Sequence, residues 1–183
     1  MKINRVNAMV GFLQRVREQM RQEKLQKKKP IIEFDLDSWA DAKKDKNDNY
    51  CGTTCCAVGH AALDPYFRKN GLNMFFEHRA YYADDWNSKQ VRGVKDLMAA
   101  DKVIRSDKFN YHFAIRYTDP VTNQIYTEFN GVEKFFEFDN EETAYILFAP
   151  DRYPPNNKSI RNVIGRLNYM LKHGESALNE KYR

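Results

Sequence analysis

Residues 50–65 read Y-C-G-T-T-C-C-A-V-G-H-A-A-L-D-P, and the three cysteines of the chain, Cys51, Cys55 and Cys56, all fall within six residues of this stretch. His60 follows them. Gly52, Ala57, Gly59, Ala61 and Ala62 are spaced between and behind the thiols, the pattern a helix needs where a second backbone lies close against it. Thr53 or Thr54 suits the N-cap of that helix, and Asp64-Pro65 stops it and opens another turn. The second turn ends at Gly71, which suits a left-handed C-cap. This stretch is therefore the packed middle of the fold or its chemical centre.

On the N-terminal side, residues 4–27 read as one long helix. Val6, Met9, Leu13, Val16 and Met20 recur at alternating spacings of three and four, a narrow apolar seam for packing lengthwise on another helix or on a second copy of the chain as a homo-oligomer. Pro30 ends the helix. Residues 31–39 alternate, with Ile32, Phe34 and Leu36 opposed to Glu33, Asp35 and Asp37, and predict a short half-buried strand running to a buried Trp39. Residues 41–49 have no apolar period and read as an exposed loop.

On the C-terminal side, residues 72–87 are aromatic-rich and irregular, and Ser88 suits the cap of a helix over 89–100 striped by Val91, Val94, Leu97 and Met98. Residues 108–130 carry the strongest hairpin pattern: Phe109, Tyr111, Phe113, Ile115 and Tyr117 alternate with polar neighbours, Asp119–Asn123 is turn chemistry, and Ile125, Thr127 and Phe129 return. Asp139-x-x-Glu142 is a capping box opening a helix through Phe148. A last helix over 159–173 carries Ile160, Val163, Ile164, Leu167, Met170 and Leu171 on one face and closes at Gly174, leaving 175–183 as a frayed tail. The expected fold class is α+β, with 30–174 as a single domain of helices around a small antiparallel sheet and 1–29 as a basic amphipathic helix.

The chain has 183 residues, enough for one well-packed domain. With 42% hydrophobic and 14% aromatic residues it is composed like a folded protein, and a mean hydropathy of −0.77 makes it a soluble one. No apolar run has the length of a membrane helix, and charges interrupt every candidate for a signal-peptide core, so no membrane association is expected. Three thiols make no closed disulfide set, which points to a reducing cytoplasm. The net charge of +5 is unevenly spread: residues 1–29 carry nine Lys/Arg against two Glu, residues 152–183 carry seven against two, and the middle carries fourteen against twenty-one Asp/Glu. Two basic ends flank an acidic body, so the ends either dock on the body or bind an acidic partner. Arg15, Arg17, Arg21, Lys24, Lys27, Lys28 and Lys29 form the candidate partner-binding face, for a protein, a nucleoprotein complex or nucleic acid.

A papain-like cysteine hydrolase or transferase is the enzymatic alternative. In it Cys51 at a helix start is the nucleophile, His112 on a later strand the base, and Asp119 (or Asn123) its orienting partner. No Gln upstream of Cys51 fills the oxyanion role, and His112 lies opposite the aromatic face of its strand. For zinc, C-x3-C-C-x3-H is poorly built: neighbouring cysteines on a helix project about 100° apart, and no second cysteine pair exists. No metal and no cofactor are expected; no glycine-rich phosphate loop is present, and Asp84-Asp85 and Glu141-Glu142 read as a turn and a helix start.

F-D-L-x-x-W at 34–39, C-G-T-x-x-C-x-x-G-H-A-A-x-D-P-x-F at 51–67, F-x-G-V-x-x-F-F at 129–136 and the Val-Ile-x-Arg-Leu helix before Gly174 together resemble a family of small bacteriophage and bacterial proteins of uncharacterised activity. The likeness covers most of 34–174. It implies a phage accessory protein of the host-takeover or counter-defence kind, acting in the cytoplasm of a bacterial host. The leading expectation is a non-enzymatic protein that binds a host protein or nucleoprotein complex, with the basic helix as its contact.

Overall fold

A computed structural model describes residues 1–28, 32–37, 39–44, 50–80, 82, 85–93, 95–97, 99–100 and 109–182. The chain opens with helix α1 (Ile3–Leu25). It stops short of Pro30: Lys27 turns left-handed (φ 55°) and the Lys28 N–H closes back on the Glu23 carbonyl at 2.8 Å. Strands β1 (Ile32–Phe34), β2 (Ala40–Lys44) and β3 (Tyr50–Cys55) form a three-stranded sheet in the order β1-β3-β2, with β1 parallel and β2 antiparallel to β3. This sheet is the first departure from the sequence reading. Residues 41–44 are strand rather than loop, 45–49 lie outside the described residues, and Thr53 and Thr54 lie in β3 rather than capping a helix. β-Branched residues before a helix suit both roles, and it is pairing with β1 and β2 that selects the strand.

Helix α2 (Ala57–Leu63) then starts one residue after β3, and α3 (Pro65–Lys69) follows, capped by Asp64, whose carboxylate accepts the Tyr66 N–H at 2.8 Å. Gly71 (φ +96°) turns the chain into β4. The main sheet is antiparallel, in the order β5-β4-β6-β7: β4 (Leu72–Ala80), β5 (Asn87–Val91), β6 (Phe109–Thr118) and β7 (Ile125–Thr127). The β6–β7 hairpin is where its alternation puts it, although Phe129 returns on a helix. β4 takes up residues 72–80 of the 72–87 segment expected to be irregular. Its inward residues Leu72, Met74 and Phe76 are buried, but Phe75 on the outer face obscures the period, sheltered there by the Arg116 guanidinium 4.3 Å from its ring centroid. The helix expected from Ser88 onward is also corrected: Asn87–Val91 is an edge strand whose first four residues are polar on both faces, leaving the buried Val91 too little to show a period. Among the described residues after this strand, helical ones are present from 95; Leu97 is buried, and Val94 and Met98 lie outside the described residues.

After β7 come α4 (Glu128–Phe136), α5 (Glu141–Phe148), two single 3₁₀ turns at Pro150–Arg152 and Pro155–Asn157, and α6 (Ile160–His173). Asn140, not Asp139, caps α5, its side chain accepting the Thr143 N–H at 3.1 Å. The tail is a correction as well. Glu175–Tyr182 form α7, with Leu178 fully buried and the Glu175 carboxylate accepting the Asp139 N–H at 2.9 Å. The helices α2, α3 and α4 cover the inner face of the main sheet, and α1 lies along α6. Val6, Met9 and Leu13 are each 0% exposed in this core. The first half of the apolar seam is thus consumed within the chain and is not available to a second copy, a correction to the homo-oligomer reading for those three residues.

Candidate functional site

The structure moves the helix-terminal thiol from Cys51 to Cys56. Cys51 lies in β3, five residues and so roughly 17 Å of extended chain before the α2 N-cap. It therefore does not occupy the helix start on which the nucleophile reading rests. Cys56 does: its backbone is extended (φ −73°, ψ 178°) and its Sγ accepts the Gly59 N–H at 3.3 Å. That position lowers a thiol pKa only where charge can be solvated. Cys56 is 2% exposed, and burial pushes its pKa up to about 12 against the opposing Gly59 and Val58 N–H groups. Burial, with Cys56 alongside, also raises the thiol of the fully buried Cys55. Both are protonated small apolar residues at neutral pH.

His112 is on the outer face of β6, with Nε2 3.0 Å from the Glu77 carboxylate of β4 and its ring edge-on to Trp86 at 4.8 Å. Glu77 also takes an ion pair from Arg116 and a hydrogen bond from the Ser88 hydroxyl at 3.2 Å. Asp119 is not part of this group. It sits in the β6–β7 turn seven residues on, roughly 23 Å along an extended strand, and it accepts the Val121 and Thr122 N–H groups at 2.8 and 2.9 Å. Those two bonds hold its carboxyl below the ordinary range and account for it as a turn residue. Asn123 (φ 58°) serves the same turn. The Cys51–His112–Asp119 constellation is not assembled. The carboxylate that does orient His112 comes from β4, where the i, i+2 alternation of Leu72, Met74 and Phe76 is the signal that places Glu77 on the opposite face.

His112 and Cys56 line one cavity of about 420 Å³, with Trp39, Phe113, Phe129 and Phe148 among its walls. The imidazole is engaged by Glu77 and the thiol by Gly59. The Trp39 indole N–H donates to the Glu128 carboxylate at the start of α4, whose backbone is left-handed (φ 53°), a conformation uncommon outside glycine. Burial raises the Glu128 carboxyl above its ordinary range, and the Trp39 bond opposes the rise. Among the described residues no three His, Cys, Asp or Glu side chains gather as a metal site would require. His60 Nε2 lies 3.4 Å from the Glu33 carbonyl oxygen, and its ring stacks on Phe34 at 6.1 Å.

The basic ends divide into docked and projecting parts. Lys2 pairs with Glu137 at 2.8 Å, Arg152 with Glu142 at 3.1 Å and Lys158 with Asp37 at 2.5 Å. Arg5 is buried, donating to the Phe135 carbonyl with its guanidinium 4.4 Å from the Phe135 ring centroid. Beyond Leu13, however, α1 contributes no further buried residue. Arg15, Arg17, Arg21, Lys24, Lys27 and Lys28 are all exposed; Lys29 lies outside the described residues. Arg21 pairs with Glu18 at 3.5 Å within the helix, and among the described residues no carboxylate outside α1 pairs with any of the six. Arg17, Arg21 and Lys24 follow the i, i+4, i+7 spacing of one helical stripe, and Gln14–Leu25 spans about 18 Å of helix.

Comparison of the chain with protein-family models, with curated proteins and with solved structures finds no match in any of the three.

Proposed function

We propose that the protein is a non-enzymatic binding protein that engages an acidic surface of a host protein or nucleoprotein complex through the projecting half of α1. The observation that carries this reading is the division of that helix. Its first turns bury Arg5, Val6, Met9, Val10, Phe12 and Leu13 in the core, whereas the part from Gln14 onward presents basic side chains that, among the described residues, no carboxylate outside α1 pairs with. Holding a stripe of like charges together costs free energy unless an opposite charge covers it. At the other basic end Arg152 and Lys158 pair with carboxylates and Arg166 is taken up by carbonyls and rings, and the Cys55 and Cys56 thiols and the His112 imidazole are engaged in packing and pairing. No helix among the described residues is long and apolar enough to cross a membrane. The bacterial setting, and a role as a phage accessory factor in host takeover or counter-defence, rest on the resemblance of the 51–67 signature.

Charge reversal tests the reading. Wild type and the triple variant Arg17→Glu, Arg21→Glu, Lys24→Glu are used to capture partners from bacterial lysate with and without nuclease. The expected result is a protein partner retained after nuclease and lost both in the variant and at about 1 M salt, where screening shortens to about 3 Å. Equal capture by the variant would sink the basic-arm reading, and capture that disappears with nuclease would replace the protein partner by nucleic acid.

A further inference from the structure

Helix α1 carries one stripe with two chemistries. Val6, Val10, Leu13, Arg17, Arg21 and Lys24 follow one another at steps of three or four residues, so at about 100° per residue all six lie within about 80° on one side of the helix. The first three are buried and the last three are exposed. The basic side chains thus continue the face with which α1 packs on the body. Two neighbours share that packing. Phe12 and Arg5, at the other edge of the buried arc, face Phe67 of α3 and Phe135 of α4, which leaves the Val6–Val10–Leu13 side to α6 running alongside. The two helices are antiparallel: the Met1 ammonium lies 3.7 Å from the Glu175 carboxylate, just past the end of α6 at His173. With 14 residues α6 is about 21 Å long, and with 23 residues α1 is about 34 Å. Measured from their shared end, α6 gives out about 13 Å before α1 does, opposite Val16. Val16 is the last residue of α1 packed against the core, and the basic half of the stripe overhangs the end of α6.

We infer, on the reading of the arm given above, that its acidic partner presents an α-helix, which packs lengthwise on the projecting half of α1 in the place that α6 leaves. The face already receives a helix over its first half, and a second helix prolongs the same packing. Arg17, Arg21 and Lys24 recur at i, i+4 and i+7, the spacing at which carboxylates on a facing helix meet them, as flanking charges do between paired helices. Arg21 leans on Glu18 at 3.5 Å within α1, whereas Arg17 and Lys24 have no carboxylate partner among the described residues. Half-buried Met20 and Leu25, which is 67% exposed, border the basic stripe on either side and offer apolar contact that a phosphate backbone does not use. Residues 14–28 include no aromatic side chain on which a base could stack. Charge and apolar borders together fit an acidic amphipathic helix better than a nucleic acid.

Fluorescence anisotropy at about 0.15 M salt tests it on the full chain. The probe is a synthetic amphipathic peptide helix with Glu at i, i+4 and i+7 between leucines; its control carries a central proline, which breaks the helix at unchanged charge. Two variants are compared with wild type. Arg17→Glu, Arg21→Glu, Lys24→Glu reverses the stripe. Arg17→Gln, Arg21→Gln, Lys24→Gln combined with Gln14→Arg, Gln19→Arg, Gln22→Lys keeps the net charge and turns the cations to the opposite side of α1. All these positions are exposed, so the melting temperature should stay that of wild type. The expected result is binding of the helical peptide by wild type. The proline peptide, and the variant with transposed cations, should each bind at least about tenfold more weakly, the summed effect of three exposed ion pairs. Amide NMR shifts caused by the peptide should run from Arg17–Lys24 on to Arg161 and Asn162 in the first turn of α6. Equal binding by the charge-reversed variant would bring down the basic-arm reading itself. Loss on reversal with full binding by the transposed variant, or shifts that stop short of α6, would refute the placement and leave that reading standing. A proline peptide that binds equally well would rule out a helical partner, as would no binding at millimolar peptide. Tighter binding of duplex DNA or of anionic lipid vesicles than of the peptide would give the face to another occupant and overturn the proposal.

Discussion

Gly59→Ala provides the most exacting test of how the centre of this fold is built. In most helices the exchange stabilises by up to about 1 kcal/mol, because alanine has the higher helix propensity. At Gly59 the sign reverses. A Cβ there would lie 1.8 Å from the Trp39 carbonyl oxygen, 2.9 Å from its carbonyl carbon and 3.3 Å from Cys55 Cβ. Reaching an ordinary contact of 3.4 Å requires the carbonyl to retreat about 1.6 Å. The obstacle is backbone, and it is held. Ala40, the next residue, is paired with Cys55 in β3; the Trp39 indole is bonded to Glu128, and its ring lies 4.8 Å from Phe129. Overpacking costs about 1–3 kcal/mol, and against a fixed backbone carbonyl the upper end, about 3 kcal/mol, applies; less a propensity gain of up to about 1 kcal/mol, the expected net loss is about 2–3 kcal/mol. For a chain of this size that is a fall of roughly 4–12 °C in melting temperature. Urea unfolding and thermal melts followed by circular dichroism measure it, with Gly165→Ala, whose Cβ enters open space, as the control that gains up to about 1 kcal/mol. If Gly59→Ala is as stable as wild type or more so, the close approach of Trp39 to α2 is not what requires glycine.

Two further outcomes follow from buried groups. Burial pushes the His60 pKa down to about 4, with the Glu33 carbonyl opposing. Between that value and the unfolded value near 6.5 the unfolded chain binds more protons, so His60's contribution is complete above about pH 6.5 and is lost as pH falls toward 4. Lowering the pH from about 7.5 to about 5 removes about 2 kcal/mol through this group; His60→Gln should show a correspondingly shallower decline in urea midpoint, and an identical decline would refute the assignment. For the thiols, a Cys51→Ala background isolates Cys55 and Cys56, which should react with a disulfide reagent such as DTNB at about pH 8 only once denaturant is added. A fast phase in the folded protein would show an accessible thiolate and revive a cysteine-based chemistry.

Legibility from sequence follows the range of the interaction concerned. The helices α1, α5 and α6 and the β6–β7 hairpin show in single stretches because each repeats its own period over enough residues to expose a buried face. The candidate site was less legible. The helix-terminal cysteine was misplaced by five residues because the chain before Cys56 carries Thr53 and Thr54, equally at home in a cap and in a strand. Glu77 went unseen because Phe75 and Phe76 put aromatic residues on both faces of β4. Asn87–Val91 has only Val91 to display on an apolar face, being an edge strand whose partner, β4, supplies the order. Arg15, Arg17, Arg21, Lys24, Lys27 and Lys28 are exposed, whereas Arg5, Arg152 and Arg166 look the same in sequence and are taken up by carbonyls, rings and a carboxylate within the fold.

By itself the sequence determined the α+β class, the basic arm and the requirement that some backbone lie against Gly59, since these rest on composition and on contacts within one turn or one strand. Only the tertiary structure decided that the backbone is that of Trp39, that Cys56 rather than Cys51 begins α2, and that His112 turns to Glu77. Each of those depends on bringing together segments distant in the chain, and the energy of such pairings leaves no local period from which to read it.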